Sequence, residues 1–377
     1  MSARGRMSLV KAVLDGQLTA SRIYRDRLAT CTGCLACEAS CPSGVPVTSI
    51  IQAAKEQAIA ECGQGIIDAV ITEVLKHPAA VRATAWLWPV LLHYSRRQEE
   101  PYGASGMGPG TGVHRSATTG SGGHGTKGRV VFFPGCAING FQRDIGRSAV
   151  AVLRRLGYDV IVPGGLRCCG RPLLSLGDRA AAAEHAEHNS GIIEAAKAGA
   201  VVTACASCSL TFKKEYPKLL SGKAPAVLDI HEFLAHEIGG LPLRPVRTKV
   251  TWHDPCHLGR GQGLSGKALD ILRTIPGIEL VEMRNADRCC GFGGVMRIAH
   301  WRLSDGIAEE KARNIILTGA SAVVTGCPSC RMQIGSALDR AGSGIRVLHT
   351  VQILEQALGI ADFGLQNSEC EALVQTK

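Results

Sequence analysis

Three observations predict that this 377-residue chain is an α/β protein: two pseudo-repeated parallel-sheet domains preceded by a small helical domain. First, a five-cysteine pattern is written twice, as Cys136, Cys168-Cys169-Gly170 and Cys205-x-x-Cys208, then as Cys256, Cys289-Cys290-Gly291 and Cys327-x-x-Cys330. The second copy follows the first at intervals of 120, 121 and 122 residues for its three landmarks, so the chain carries an internal repeat rather than a scatter of thiols. Second, short β-branched runs alternate with helical patterns around each copy. Third, a separate stretch with helical spacing and four closely placed cysteines lies ahead of both.

In chain order, residues 1–75 form the helical domain, and residues 49–60 show its apolar spacing best. Residues 76–128 join it to the repeats. Within them, Trp86 and Trp88 lie in a short apolar segment flanked by Arg82 and by Arg96-Arg97 and interrupted by Pro89. That segment reads either as a helix packed on the protein's own core or as one that meets a membrane interface or a partner. From Gly103 to Gly128, Gly, Ser and Thr dominate without hydrophobic periodicity, the composition of a flexible linker.

The first repeat, residues 129–245, reads as strand 129–133, helix 147–156, strand 158–162, helix 180–198 and strand 200–203. The second, residues 246–362, reads as strand 249–253, helix 268–273, strand 278–283, helix 304–317 and strand 322–325, and residues 363–377 are a tail. This alternation implies a parallel sheet with right-handed crossovers in each unit. Every cysteine group then follows the C-terminal end of a strand, so the groups of each unit converge on one sheet edge, where open α/β sheets hold their ligands. Both C-x-x-C pairs open a helix, whose unpaired N–H groups and positive dipole end favour an anionic group. Because the sheets are separate, each thiol set is expected to act independently.

Cys31-Thr32-Gly33-Cys34-Leu35-Ala36-Cys37-Glu38-Ala39-Ser40-Cys41-Pro42 is the C-x2-C-x2-C-x3-C-P run with which bacterial ferredoxins wrap a [4Fe-4S] cubane. A zinc knuckle also uses C-x2-C pairs, but four such closely spaced cysteines ending in Cys-Pro favour the cluster. Five thiolates per repeat exceed what tetrahedral zinc uses, whereas iron–sulfur clusters take several nuclearities. Adjacent cysteines diverge and so suit two irons of one cluster better than one ion. Zinc in one repeat remains the alternative.

Composition excludes several classes. No apolar run reaches the ~20 residues that span a bilayer, and the N-terminus lacks a signal pattern, which points to the cytoplasm. The net charge of +10 counts the thiolates as neutral and aromatics are only 4%, so no nucleic-acid partner is expected. No G-x-G-x-x-G opens a helix after a strand in a dinucleotide-binding context. His185 and His188 stand i and i+3 on a helix, but Glu184 and Glu187 beside them suggest a solvated face rather than a metal pair. His253 and His257 flank Cys256, and His231 and His349 follow the last apolar strands; each reads as a structural histidine or as a proton acceptor beside a cluster or quinone. Cys62 and Cys370 fall outside every motif and read as spare thiols.

The repeated Cys…Cys-Cys-Gly…Cys-x-x-Cys resembles the CCG domain of the heterodisulfide reductase catalytic subunit and of the iron–sulfur subunits of glycolate oxidase, D-lactate dehydrogenases and anaerobic glycerol-3-phosphate dehydrogenase. Ser2-Ala3-Arg4-Gly5-Arg6, the stretch from Leu9 to Gly16, and Cys41-Pro42-Ser43-Gly44-Val45 are similar to glycolate oxidase iron–sulfur subunits. The resemblance implies a ferredoxin-like N-terminal domain with a [4Fe-4S] cubane and noncubane [4Fe-4S] clusters in the CCG domains. It also implies a FAD-containing dehydrogenase partner that oxidises glycolate or D-lactate, and a quinone or other electron acceptor. Peripheral contact with the inner face of the cytoplasmic membrane goes with that assembly. The chain's own role would be electron transfer, with no catalytic residue of its own. The alternatives are the glycerol-3-phosphate dehydrogenase subunit and a heterodisulfide-cleaving enzyme. One departure stands out: such subunits carry two ferredoxin motifs, and here the first is missing. Each fourth cysteine then serves the other motif's cluster, so Cys41 would belong elsewhere. An upstream start, a separate ferredoxin subunit, or local closure of the cube by Cys41 would each account for it.

Overall fold

The computed structural model describes residues 2–84, 126–294 and 296–360. The tryptophan-containing segment, nearly all of the Gly/Ser-rich linker, the tail and Cys370 lie outside the described residues.

Each repeat folds as a four-stranded parallel sheet. The first has the order β2-β1-β3-β4, from β1 (Gly128–Phe132), β2 (Tyr158–Ile161), β3 (Ala200–Thr203) and β4 (Val227–Asp229). The second repeats it as β6-β5-β7-β8, from β5 (Thr248–His253), β6 (Ile278–Val281), β7 (Ala322–Thr325) and β8 (Arg346–His349). All six pairings are parallel. The fold class read from the sequence therefore holds, and the structure adds a fourth strand to each of the two sheets. Those strands are three and four residues long, lie at a sheet edge, and coincide with the apolar runs ahead of His231 and His349.

Parallel strands are covered on both faces, so the central ones are continuous apolar runs: Val130, Val131 and Phe132 in β1, Val323 and Val324 in β7. Helix Arg143–Arg155 covers the first sheet with Ile145, Ala149, Val152 and Leu153. Helix Arg179–Ala195 starts where the Asp178 carboxylate accepts the Ala181 N–H at 3.0 Å.

The repeats exchange their terminal helices. Helix Thr350–Ala357, at the end of the second, packs on helix Arg143–Arg155 of the first, and helix Ile230–Leu234 packs reciprocally on helix Ser265–Thr274. One continuous apolar core consequently runs through both sheets. Buried polar groups fix the register of this contact. Arg331 pairs with Asp144 at 2.7 Å and donates to Gln142 Oε1 at 2.9 Å, while Gln352 donates to Asp144 at 2.9 Å. His231 bridges Asp229, at 2.7 Å from Nδ1, and Thr350, at 2.9 Å from Nε2.

The N-terminal domain has its own small core of Val10, Tyr24, Leu28, Val47, Ile51, Ala54 and Ala58. It docks on the first repeat through Lys55, whose ammonium donates to the Ser175 carbonyl at 2.9 Å. Burial there lowers the Lys55 pKa to about 8.

Removing the buried Arg331 takes the ion-pair partner from the half-buried Asp144 carboxylate and leaves it the Gln352 amide. Arg331→Ala is therefore expected to destabilise the protein by about 3–5 kcal/mol. Anaerobic denaturant unfolding checks this, and an unchanged midpoint would contradict the role given to the pair.

Candidate functional site

The strand direction carries all three cysteine groups of each repeat to one edge. Cys136 follows β1, Cys168-Cys169 follow β2 and Cys205 follows β3; Cys256, Cys289-Cys290 and Cys327 stand in the same places after β5, β6 and β7. Cys205 and Cys327 are the N-cap residues of helices Ala206–Lys214 and Pro328–Arg340, so each C-x-x-C does open a helix.

The sheets are separate but the thiol sets are not. One cavity of about 180 Å³ is lined by Cys136, Cys169, Cys205 and Cys208 from the first repeat and by Cys256, Cys289, Cys290, Cys327 and Cys330 from the second. The expectation of two independent sites is corrected on this point, because exchange of the terminal helices turns the two sheet edges toward each other. Ile71 and Leu75 of the helix Ile66–Lys76, with Phe141, Phe292 and Met332, complete an apolar wall.

Around the cavity the sulfurs lie close together, with Cys168 Sγ 3.4 Å from Cys136 Sγ and Cys290 Sγ 3.5 Å from Cys330 Sγ. Hydrogen bonds from Cys168 and then Cys208 pull the Cys169 pKa well below the thiol range. Cys290 is lowered likewise, by Cys289 and then Cys330. Cys327 is lowered first by Cys205, across the boundary between repeats, and then by Cys330. Backbone N–H groups reinforce this: those of Arg171 and Phe292 point at Cys169 and Cys290, and that of Gly291 donates to Cys289 Sγ at 3.3 Å. The turns need glycine, since Gly170 and Gly291 sit at φ 87° and 92°. None of the described cysteines is in a disulfide. Five soft donors per repeat, most of them buried and some met by aimed N–H groups, fit iron–sulfur chemistry.

The N-terminal motif joins the same assembly. The Cys34 thiol donates to Cys289, and that bond, followed by burial, pushes its pKa up. His257 ties the three parts together: its Nδ1 meets Ser207 Oγ at 2.8 Å and its Nε2 donates to the Gly33 carbonyl at 3.1 Å. Cys31 and Cys34 are the thiols that act on Cys37. Cys41 is half-buried, its pKa lowered by the N–H groups of Val45, Ser43 and Gly44 and by no other cysteine.

The remaining candidates singled out in the sequence resolve as structural groups. His185 is fully buried, not on a solvated face, and its Nδ1 meets the Cys168 carbonyl at 3.0 Å; His188 meets the Gly165 carbonyl at 3.0 Å instead of sharing a metal with it. His231 is held between Asp229 and Thr350. His349 caps the last described helix through Nδ1. Cys62 donates to the Ala20 carbonyl at 3.2 Å. Lys311 was not singled out from the sequence; it is buried against the Asn285 and Ala286 carbonyls beside the second thiol set. A lysine on a helix carries no sequence signal of burial, although alignment of the repeats places it opposite Asn189.

No helix among the described residues is long and apolar enough to cross a membrane. The CCG cysteine-rich domain model matches residues 130–213 and 250–335. A fumarate reductase (CoM/CoB) subunit of Methanothermobacter marburgensis is 37% identical over 230 residues, 61% of this chain and 46% of that protein, so the match spans less than half of the relative's length. Lactate utilization protein A of a Geobacillus species is 32% identical over 60% of this chain and 98% of the relative. The probable glycolate oxidase iron–sulfur subunit of Bacillus subtilis is 28% identical over 95% of this chain and 88% of the relative.

Burial holds three histidines neutral, with pKa values lowered to about 3 for His253, about 4 for His257 and about 3 for His349. Unfolded histidine titrates near 6.5, so between there and about 4 the unfolded chain binds more protons than the folded one. Stability is therefore complete above about pH 6.5 and falls on acidification. His349→Asn keeps an acceptor for the Val351 N–H and removes one titrating group. It is expected to show a smaller drop in denaturation midpoint than the wild type between about pH 7 and pH 5; an equal drop would remove His349 from the account.

Proposed function

Since the chain belongs to the CCG cysteine-rich family of iron–sulfur proteins, whose members include lactate utilization protein A and glycolate oxidase iron–sulfur subunits, we propose that it is the electron-transfer subunit of a flavin-dependent 2-hydroxyacid dehydrogenase. A FAD-containing partner oxidises glycolate or D-lactate to the 2-oxoacid, taking two electrons, and the chain passes them singly toward quinone, which becomes quinol with two protons. The observation that carries this reading is the contact of all three thiol groups. Cys34 of the N-terminal motif touches Cys289, the second set runs from there to Cys327, and Cys327 touches Cys205 of the first set.

In this reading Cys31, Cys34 and Cys37 hold a cubane, with Cys41 serving another cluster. Cys136, Cys168, Cys169, Cys205 and Cys208 hold one CCG centre, and Cys256, Cys289, Cys290, Cys327 and Cys330 the other. The clusters supply one-electron storage. The chain's own residues exclude water from the sulfurs, aim N–H groups at them and space the three groups for short transfer steps.

The shared cavity supports a second reading, reductive cleavage of a disulfide between the two thiol-lined walls, in which two electrons and two protons turn one disulfide into two thiols.

Anaerobically purified protein is expected to contain iron and acid-labile sulfide beyond one cubane, and Cys169→Ser to lower both; stoichiometric zinc without sulfide would refute the assignment. The chain alone is expected to be inert toward glycolate and D-lactate. With a co-purified flavoprotein, Cys327→Ser should block quinone reduction while substrate still bleaches the flavin. Disulfide reduction by the isolated chain with an artificial donor would transfer the assignment to the second reading.

A further inference from the structure

We infer that His253 is a nitrogen donor to the metal centre of the second repeat, so that the two repeats hold chemically different centres. The inference rests on the iron–sulfur reading and deepens it. His253 is the last residue of β5, is fully buried, and has no hydrogen-bond partner at either Nδ1 or Nε2. A buried polar ring without a partner is unfavourable, and native structures rarely leave one without a reason. The reason lies beside it: one ring nitrogen and the sulfurs of Cys290 and Cys330 all fall within 4.8 Å of one another. The three groups converge as a mixed nitrogen and sulfur set.

The surroundings suit ligation. Metal-bound imidazoles usually turn their second nitrogen toward a carbonyl or carboxylate, which orients the ring. Here the Ala286 carbonyl stands next to the ring, short of full hydrogen-bond geometry, and the Lys311 ammonium holds that loop by its Asn285 and Ala286 carbonyls. Burial first, and Lys311 second, keep the imidazole neutral, the form that offers a lone pair. His257 provides the contrast, since both of its nitrogens are already engaged, by Ser207 and Gly33.

The first repeat has no equivalent donor. Phe133 stands three residues before Cys136, as His253 stands three before Cys256, and its ring packs edge-on against Phe212 at 4.9 Å. Asn189 stands where the second repeat has Lys311 and is occupied by the Cys168 carbonyl and Tyr216. Two differences between the repeats, Phe133 against His253 and Asn189 against Lys311, thus fall at the same thiol set. A neutral imidazole in place of a thiolate raises a cluster's reduction potential.

The test uses the full-length chain, purified anaerobically after growth with 15N-histidine, reduced, and examined by pulsed EPR for nitrogen coupling, with iron and sulfide assayed first. The expected result is a directly bonded histidine nitrogen coupling, absent in His253→Phe, which copies the first repeat. His253→Cys, which keeps a ligand should the phenylalanine variant not fold, is expected to lose the coupling and shift the second centre to lower potential. Clusters present without histidine coupling, or with a coupling that survives both substitutions, would overturn this inference and leave the electron-transfer reading intact. Absence of iron and sulfide from the wild type would overturn both.

Discussion

Every strand in both sheets points the same way, and the rest of the molecule depends on that. In a parallel sheet the C-terminal ends share one edge, so loops separated by some seventy residues of chain, from Cys136 to Cys208, deliver their thiols to one place. An antiparallel arrangement of the same strands would scatter them over two edges. Parallel pairing in turn demands crossover helices on both faces, which accounts for the Val-rich central strands and the apolar stripe of helix Arg143–Arg155.

A second constraint acts between repeats. Neither unit is closed by itself, because each lends its last helix to the other. The exchange merges two cores and turns two sheet edges into the walls of one cavity. Arg331, Asp144, Gln142 and Gln352 make this contact specific in a way that apolar packing alone does not, since a shift of the helices by one turn would leave a buried guanidinium unpaired. His257 extends the same logic to the N-terminal domain by committing one nitrogen to each neighbour.

The duplicated architecture has not remained symmetric. Phe133 and Asn189 complete an apolar and hydrogen-bonded wall in the first repeat, whereas His253 and Lys311 bring nitrogen and positive charge to the second. Lys311 and the N–H groups at the helix starts partly offset the negative charge of so many buried sulfurs, as a low-dielectric site requires. The N-terminal motif touches the second set through Cys34 and Cys289, so the repeat that carries His253 and Lys311 is also the one whose thiols meet that motif.

Reading along the chain was enough to find the repeat, the alternation of strand and helix, the strand-end placement of every cysteine group and the helix-opening C-x-x-C pairs. Each depends on local spacing, since short β-branched runs and a 3.6-residue apolar period both register in the order of apolar and polar residues. Strands β4 and β8 stood outside the alternation read along the chain: each pairs with one neighbour at a sheet edge, and only short apolar runs ahead of His231 and His349 mark them in the sequence. The burial of His185 was also misjudged, because Glu184 and Glu187 dominate its neighbourhood in the sequence while helix rotation turns it inward. Packing in three dimensions was needed to show that the two thiol sets face one cavity, that Cys34 meets Cys289, and that His253 has two unpartnered nitrogens. These are contacts between residues up to some 250 positions apart, set by how helices dock across the repeat boundary. No spacing along the chain encodes that docking.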